Sequence, residues 1–188
     1  VVEISPRSLC PFAEEPALFK DLNKRIDCAI GLRLPTVERK VLERGRYQAF
    51  SQPSINQTST FVNMVPMFLN IEVKRSHSNH DPLIQLAIWV AAEFVKRTIE
   101  NYSLDMPVLA IAVVEDRWDL YMVYADVKSV GQNRYGCNFV GPFEMGSTMS
   151  VEGVFKILGI LCSLASWGLA DYRLWFEREI LGKYKPAP

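Results

Sequence analysis

F-L-N-I-E-V-K-R, residues 68–75, decides the fold. Apolar and polar residues alternate along it, the period-two signature of a half-buried β-strand. Leu69, Ile71, Val73 and Arg75 fall on one face, and Phe68, Asn70, Glu72 and Lys74 on the other. Two opposite charges two residues apart therefore project from one side of one strand. Upstream, I-D-C-A-I-G-L-R-L, residues 26–34, alternates in the same way. Ile26, Cys28, Ile30, Leu32 and Leu34 point one way, and Asp27, Ala29, Gly31 and Arg33 the other. Downstream, Asp81-Pro82 starts a helix, with Asp as N-cap and Pro at the first helical position. This helix runs to about Glu100 and is apolar nearly all round from Leu83 to Val95, so it should be heavily buried.

The remaining segments fit around this core. Residues 12–25 read as a short amphipathic helix, and 35–66 as an excursion away from the sheet in which Val37 to Phe50 is a charged helix. Val108 to Val114 is a continuous apolar run, as expected of a central strand covered on both faces. Trp118 to Val127 and a shorter piece at Cys137–Phe143 read as further strands. The chain closes with helices over Ser150–Ala170 and Asp171–Leu181, stopped at Gly182. This order predicts an α/β domain with a mixed sheet, spanning 1–188 as one unit.

Composition bounds the function. The chain has 188 residues, 49% apolar and 22% charged, which excludes a disordered or collagenous protein. Its 21 basic and 21 acidic residues cancel, whereas a chain that holds nucleic acid mainly through phosphates usually shows a basic excess. The one local candidate is Arg33, Arg39, Lys40, Arg44 and Arg46, read first as a solvated face. Cys10, Cys28, Cys137 and Cys162 have no ligand spacing and read as four buried thiols in a reducing compartment, cytoplasmic or nuclear. His77 and His80 share a polar loop, read as solvated rather than metal-binding. The apolar stretches at 83–92 and 157–170 are too short or interrupted for a membrane span of ~20 residues, and no signal peptide opens the chain. The missing initiator Met reads as a trimmed chain or an excised domain.

An Asp near the start of one strand, E-x-K on the next, and a buried helix soon after make a set suited to phosphodiester hydrolysis. Mg²⁺ takes carboxylate and backbone oxygens at about 2.1 Å and keeps several waters. Asp27 and Glu72 supply carboxylates, with the Val73 backbone carbonyl between them. A metal held there polarises a phosphoryl oxygen and lowers the pKa of the attacking water, and Lys74 positions that water or stabilises developing charge. Gln85, on the first turn of the helix with Trp89 one turn later, either hydrogen-bonds a strand end or reaches the metal site beside Glu72.

The set I-D…E-V-K…Q-L-A-I-W resembles the PD-(D/E)XK nuclease-like, restriction-endonuclease-like superfamily. With K-R-I-D-C, I-N-Q-T, W-D-L-Y and the closing G-S-T…W-F-E-R-E-I-L-G, residues 20–182 resemble its fungal nuclease-like domain proteins. The resemblance implies a three-layer α/β/α core with a mixed central sheet and a Mg²⁺ (or Mn²⁺) cofactor. It implies Asp27, Glu72 and Lys74 as catalytic positions, with Gln85 supporting them. Ile26 replaces the motif Pro, and 44 residues lie between Asp27 and Glu72, which implies an insertion at 35–66. The superfamily often adds a first-helix Glu; Glu14 or Glu15 could serve. The leading expectation is a metal-dependent nuclease acting on nucleic acid. The alternatives are a non-catalytic binding or regulatory module, and an enzyme of fungal specialised metabolism acting on a small molecule in the same cleft.

Overall fold

The structure is a computed structural model, and the residues it describes are 2–3, 25–49, 54–57, 63–75, 81–126 and 136–184. Strands β1 (Val2–Glu3) and β2 (Arg25–Ile26) form an antiparallel pair. The main sheet comprises β3 (Cys28–Gly31), β4 (Met67–Lys74), β5 (Val108–Val114), β6 (Arg117–Asp126) and β7 (Gly136–Ser147), in sequential order across the sheet. Only the β4–β5 pair is parallel, so the sheet is mixed. Parallel neighbours need a crossover connection. Helix α2 (Pro82–Ile99) supplies it, starting where expected: the Asp81 side chain accepts the Leu83 N–H.

Two hydrophobic clusters flank the sheet and make the three layers. Helix α2 covers one face with Leu86, Trp89, Val90 and Phe94 against Val108, Ala110 and Ala112. On the other face lie α1 (Thr36–Ala49), α3 (Val151–Trp167), a π-helical segment (Gly168–Tyr172) and α4 (Arg173–Glu179), followed by a 3₁₀ turn (Leu181–Tyr184). Leu42, Ile157, Trp175 and Phe176 pack there against Leu69, Ile71, Leu109 and Ile111.

Several details differ from the sequence reading, each for a local reason. Pairing of β3 with β4 skips a residue: Ile30 faces Leu69, and Gly31 faces Met67. The extra residue, Phe68, turns out of alternation and packs against Trp167 and Tyr172, in the same cluster as Leu69. Phe68 therefore does not share the face of Asn70, a β-bulge breaking the period. Gly31 is required at this kink, since a Cβ there would lie 2.7 Å from the Pro66 carbonyl oxygen. The strand expected over 26–34 breaks at Asp27, so Ile26 joins Ala29 beneath α2 while Cys28 is exposed. Cys162 is exposed and Cys137 half-buried, so the expectation of four buried thiols fails; Cys10 lies outside the described residues.

The excursion at 35–66 is not displaced from the core. Leu42 and Ile55 are core residues, and Ser54, Asn56 and Gln57 are buried. Strand β7 is the longest in the sheet, in place of the shorter strand expected over Cys137–Phe143. Of the helix expected at 12–25, only Arg25 is described, and it is in a strand. Glu14, Glu15, His77, His80 and Val127 also lie outside the described residues.

Candidate functional site

Strand β3 first pairs with β4 at Cys28, opposite Ile71. One residue earlier the chain bends at Asp27 and leaves to pair with β1. That departure deprives Val73 of a strand partner on this side. The Asp27 side chain takes its place: Oδ2 accepts the Val73 N–H at 2.8 Å. The N–H and C=O of a strand residue face the same neighbour, so the Val73 carbonyl also points toward the Asp27 edge. Asp27 is itself exposed, and the bend thus holds an open carboxylate against the end of β4.

Glu72 lies on the α2 face of β4 and is 1% exposed. Its carboxylate forms a close ion pair with the Lys74 ammonium on the same face. Burial pushes its pKa above the usual glutamate range, and the Asp27 charge pushes further in that direction. Lys74 and the Asp27 backbone N–H act against the rise. Neither Glu72 oxygen receives a hydrogen bond of good geometry, although both are buried. A buried carboxylate without such bonds costs several kcal/mol, roughly, unless a cation meets it. Lys74 partly meets that need in this structure.

Helix α2 descends antiparallel to β4, as its crossover role requires. The Trp89 indole Nε1 donates to Asn70 Oδ1 at 2.9 Å, fixing helix and strand at that level. One helical turn is about 5.4 Å and two strand residues about 6.6 Å. Gln85, one turn before Trp89, is thereby level with Glu72, two residues beyond Asn70. It is half-buried and engaged by a neighbour. Trp89 is a core residue and also the bolt that sets this level. The buried Gln57 amide, assigned from its surroundings, turns its oxygen to Trp89 Nε1 (2.5 Å) and its nitrogen to Glu93 Oε2 (2.5 Å). Glu93 in turn bonds Arg97 at 3.0 Å.

The register brings in two residues that the sequence alone did not single out. Glu72 faces Ala112 on β5, and Ala112 faces Asp119 on β6. Lys74 faces Val114, and Val114 faces Arg117. A second charge pair, Arg117 Nε to Asp119 Oδ2 at 2.9 Å, thus stands two strands across from Glu72–Lys74, with Ala112 on the strand between them. Asp119 is 5% exposed and Arg117 largely solvated. The buried carboxylate therefore aims an arginine whose outer nitrogens face solvent. R-W-D mirrors E-V-K from the far side of β5, on a strand that runs antiparallel to β4, a match visible only once the strands are paired.

Arg33, Arg39, Lys40 and Arg44 are exposed, but Arg46 is not part of that basic face. It is fully buried and bonds both Glu100 oxygens, at 2.6 and 3.1 Å, and the Ser54 carbonyl at 2.5 Å.

Among the described residues no three His, Cys, Asp or Glu side chains converge as a metal cluster. A cation here would rest on Asp27, Glu72 and the Val73 carbonyl, completed by water. Two carboxylates and several waters are a donor set that suits a small hard ion, and the buried Glu72 oxygens, without a hydrogen bond of good geometry, fit it. In comparison with known proteins, the family model described as PD-(D/E)XK nuclease superfamily matches residues 2–173. No curated protein and no solved structure matches the chain.

Proposed function

The chain belongs to the PD-(D/E)XK nuclease superfamily, and from that premise we propose that it is a Mg²⁺- or Mn²⁺-dependent phosphodiesterase acting on nucleic acid inside the cell. The observation that carries this reading is the juxtaposition at the end of β4. Asp27 grips the Val73 N–H beside Glu72, whose buried carboxylate is held in a close ion pair by Lys74. Asp27, Glu72 and the Val73 carbonyl would hold the ion. When bound, a divalent cation supplies Lewis-acid polarisation of the phosphoryl oxygen and a more acidic water.

The chain's own residues do the rest. Lys74, beside Glu72, would face the negative charge developing on the phosphoryl group. Arg117, aimed by Asp119, offers its guanidinium fork to a neighbouring phosphate of the same substrate. Gln85, level with Glu72, orients the attacking water or the carboxylate. With zero net charge, affinity rests on these few placed cations rather than on a general basic field.

The test is cleavage of single- and double-stranded DNA and RNA with Mg²⁺ or Mn²⁺, with chelator as control. Lys74→Ala should lower the rate by ~10²–10³, the worth of one donor to transition-state charge. Glu72→Gln should abolish metal binding measured calorimetrically while the protein stays folded. Metal binding by the unmodified protein with no cleavage of any nucleic acid would move the reading to a small phosphodiester substrate. Absence of metal binding at millimolar concentration would end it.

A further inference from the structure

The described residues cover little of the surface of helix α3. Of its 17 residues only Gly153 and Ile157 are buried, although its sequence is strongly apolar. Val151, Phe155, Leu158, Leu169 and Leu174, on α3, the π-helical segment and α4, are each between 52% and 74% exposed. Together they present on the order of 700 Å² of apolar surface, close to one partner's share of a standard interface and more than most monomers leave in one patch. At 100° per residue, Val151, Phe155, Gly159, Cys162 and Ser166 fall within an arc of about 80°, a single stripe with small residues at its centre. A side chain added at Gly159 would meet none of the described residues within 4 Å, so the middle of the stripe is open among them.

We propose that this face is the two-fold interface of a homodimer in which α3 packs antiparallel against α3 of a second copy, with the dyad near Ser163. The choice of occupant follows from self-complementarity. Lys156 and Asp171 lie at nearly equal distances on either side of Ser163, on the same flank of the stripe. Leu158 and Leu169 do the same on the other flank. An antiparallel copy therefore sets Lys156 against the partner copy's Asp171, and Leu158 against the partner copy's Leu169, each contact occurring twice. Gly159, Cys162 and Ser166 let the two backbones approach closely at the middle. A lipid bilayer suits the face less well. Lys156 and Asp171 rim it, and Ile157, Tyr172, Trp175 and Phe176 are committed to the core of the sheet.

Light scattering and sedimentation of the full chain over 1–100 µM should give twice the chain mass. Gly159→Arg fills space open among the described residues and should fold as a monomer, weakening the dimer at least 100-fold. Lys156→Glu should weaken it about tenfold, and adding Asp171→Lys should restore it. Mild oxidation should cross-link the dimer in a manner abolished by Cys162→Ser. A native protein that is monomeric throughout overturns the proposal. So does a dimer indifferent to Gly159→Arg and to the charge swap, or a monomer that binds phosphatidylcholine–phosphatidylserine vesicles through this face.

Discussion

The Trp89 indole gives a quantitative test of how α2 is fixed over the site. Its Nε1 proton lies within reach of two acceptors, Asn70 Oδ1 at 2.9 Å and Gln57 oxygen at 2.5 Å. Asn70→Ala removes one, together with a weak bond to the Leu109 carbonyl at 3.5 Å, but leaves the donor satisfied by Gln57. The loss should be about 1–1.5 kcal/mol, the net worth of an ordinary hydrogen bond. Gln57→Ala should cost about the same or slightly more, since Glu93 retains Arg97. Only the double variant leaves a fully buried indole N–H with no acceptor, which adds a penalty of about 1–3 kcal/mol. The double-mutant cycle should therefore show a coupling of at least ~1 kcal/mol beyond additivity. In melting temperature, each single change should shift the midpoint by roughly 2–6 °C and the pair by roughly 6–24 °C at this chain length. Thermal denaturation in chelator measures both, and metal affinity of the double variant should fall as α2 loses its level. Additivity within ~0.5 kcal/mol would refute the shared donor.

Arg46→Ala should cost about 3–5 kcal/mol, because it removes the two-nitrogen partner of the buried Glu100 carboxylate and leaves it Lys96 alone. Its contrast is Arg39, Lys40 and Arg44 to Ala together, which should change stability little and weaken only nucleic-acid binding, more so at low salt. Arg46 also sets a pH dependence. Burial alone would raise Glu100, but hydrogen bonds from Arg46 and Lys96 reverse this and hold it below the usual range. That stability is full above the unfolded glutamate value and is lost as pH falls through the depressed one. Melting temperature followed from pH 7 to 3 should show this acid loss in the native protein, and a clearly flatter profile in Arg46→Ala. At the candidate site, Arg117→Ala should reduce the slope of log affinity against log salt for a labelled oligonucleotide by about one, the signature of one lost phosphate contact. Arg117→Lys should keep the slope but bind more weakly, since the fork is gone; an unchanged slope in Arg117→Ala would remove Arg117 from the substrate path.

The fold was legible where period and punctuation agree. The apolar run Val108–Val114 is the central strand β5, and Asp81-Pro82 starts α2 with the expected cap. The failures have physical causes that no window of sequence contains. Phe68 leaves its face because β4 carries one residue more than β3 at Gly31, and a bulge belongs to a pair of strands rather than to either one. Arg46 reads as one more charge on a basic helix, but Glu100, 54 residues away, draws it into the core.

For the site, the sequence indicates which residue types belong together but not what holds them. Asp27 reads as a strand residue on one face; in the structure it matters because the strand stops there. The bend frees the Val73 N–H, and Asp27 answers it with a side chain in place of a backbone carbonyl. The carboxylate is thus placed by an interrupted ladder, which explains why Ile26 can stand before it without a proline to force the turn. Arg117 and Asp119 carry the converse lesson. Their spacing on one strand is as plain as that of Glu72 and Lys74, yet their relevance depends on the small Ala112 lying between two particular registers. A larger residue at 112 would separate the pairs without altering either motif. Ala112→Val should accordingly leave both ion pairs formed while impairing any ligand that must touch Lys74 and Arg117 together.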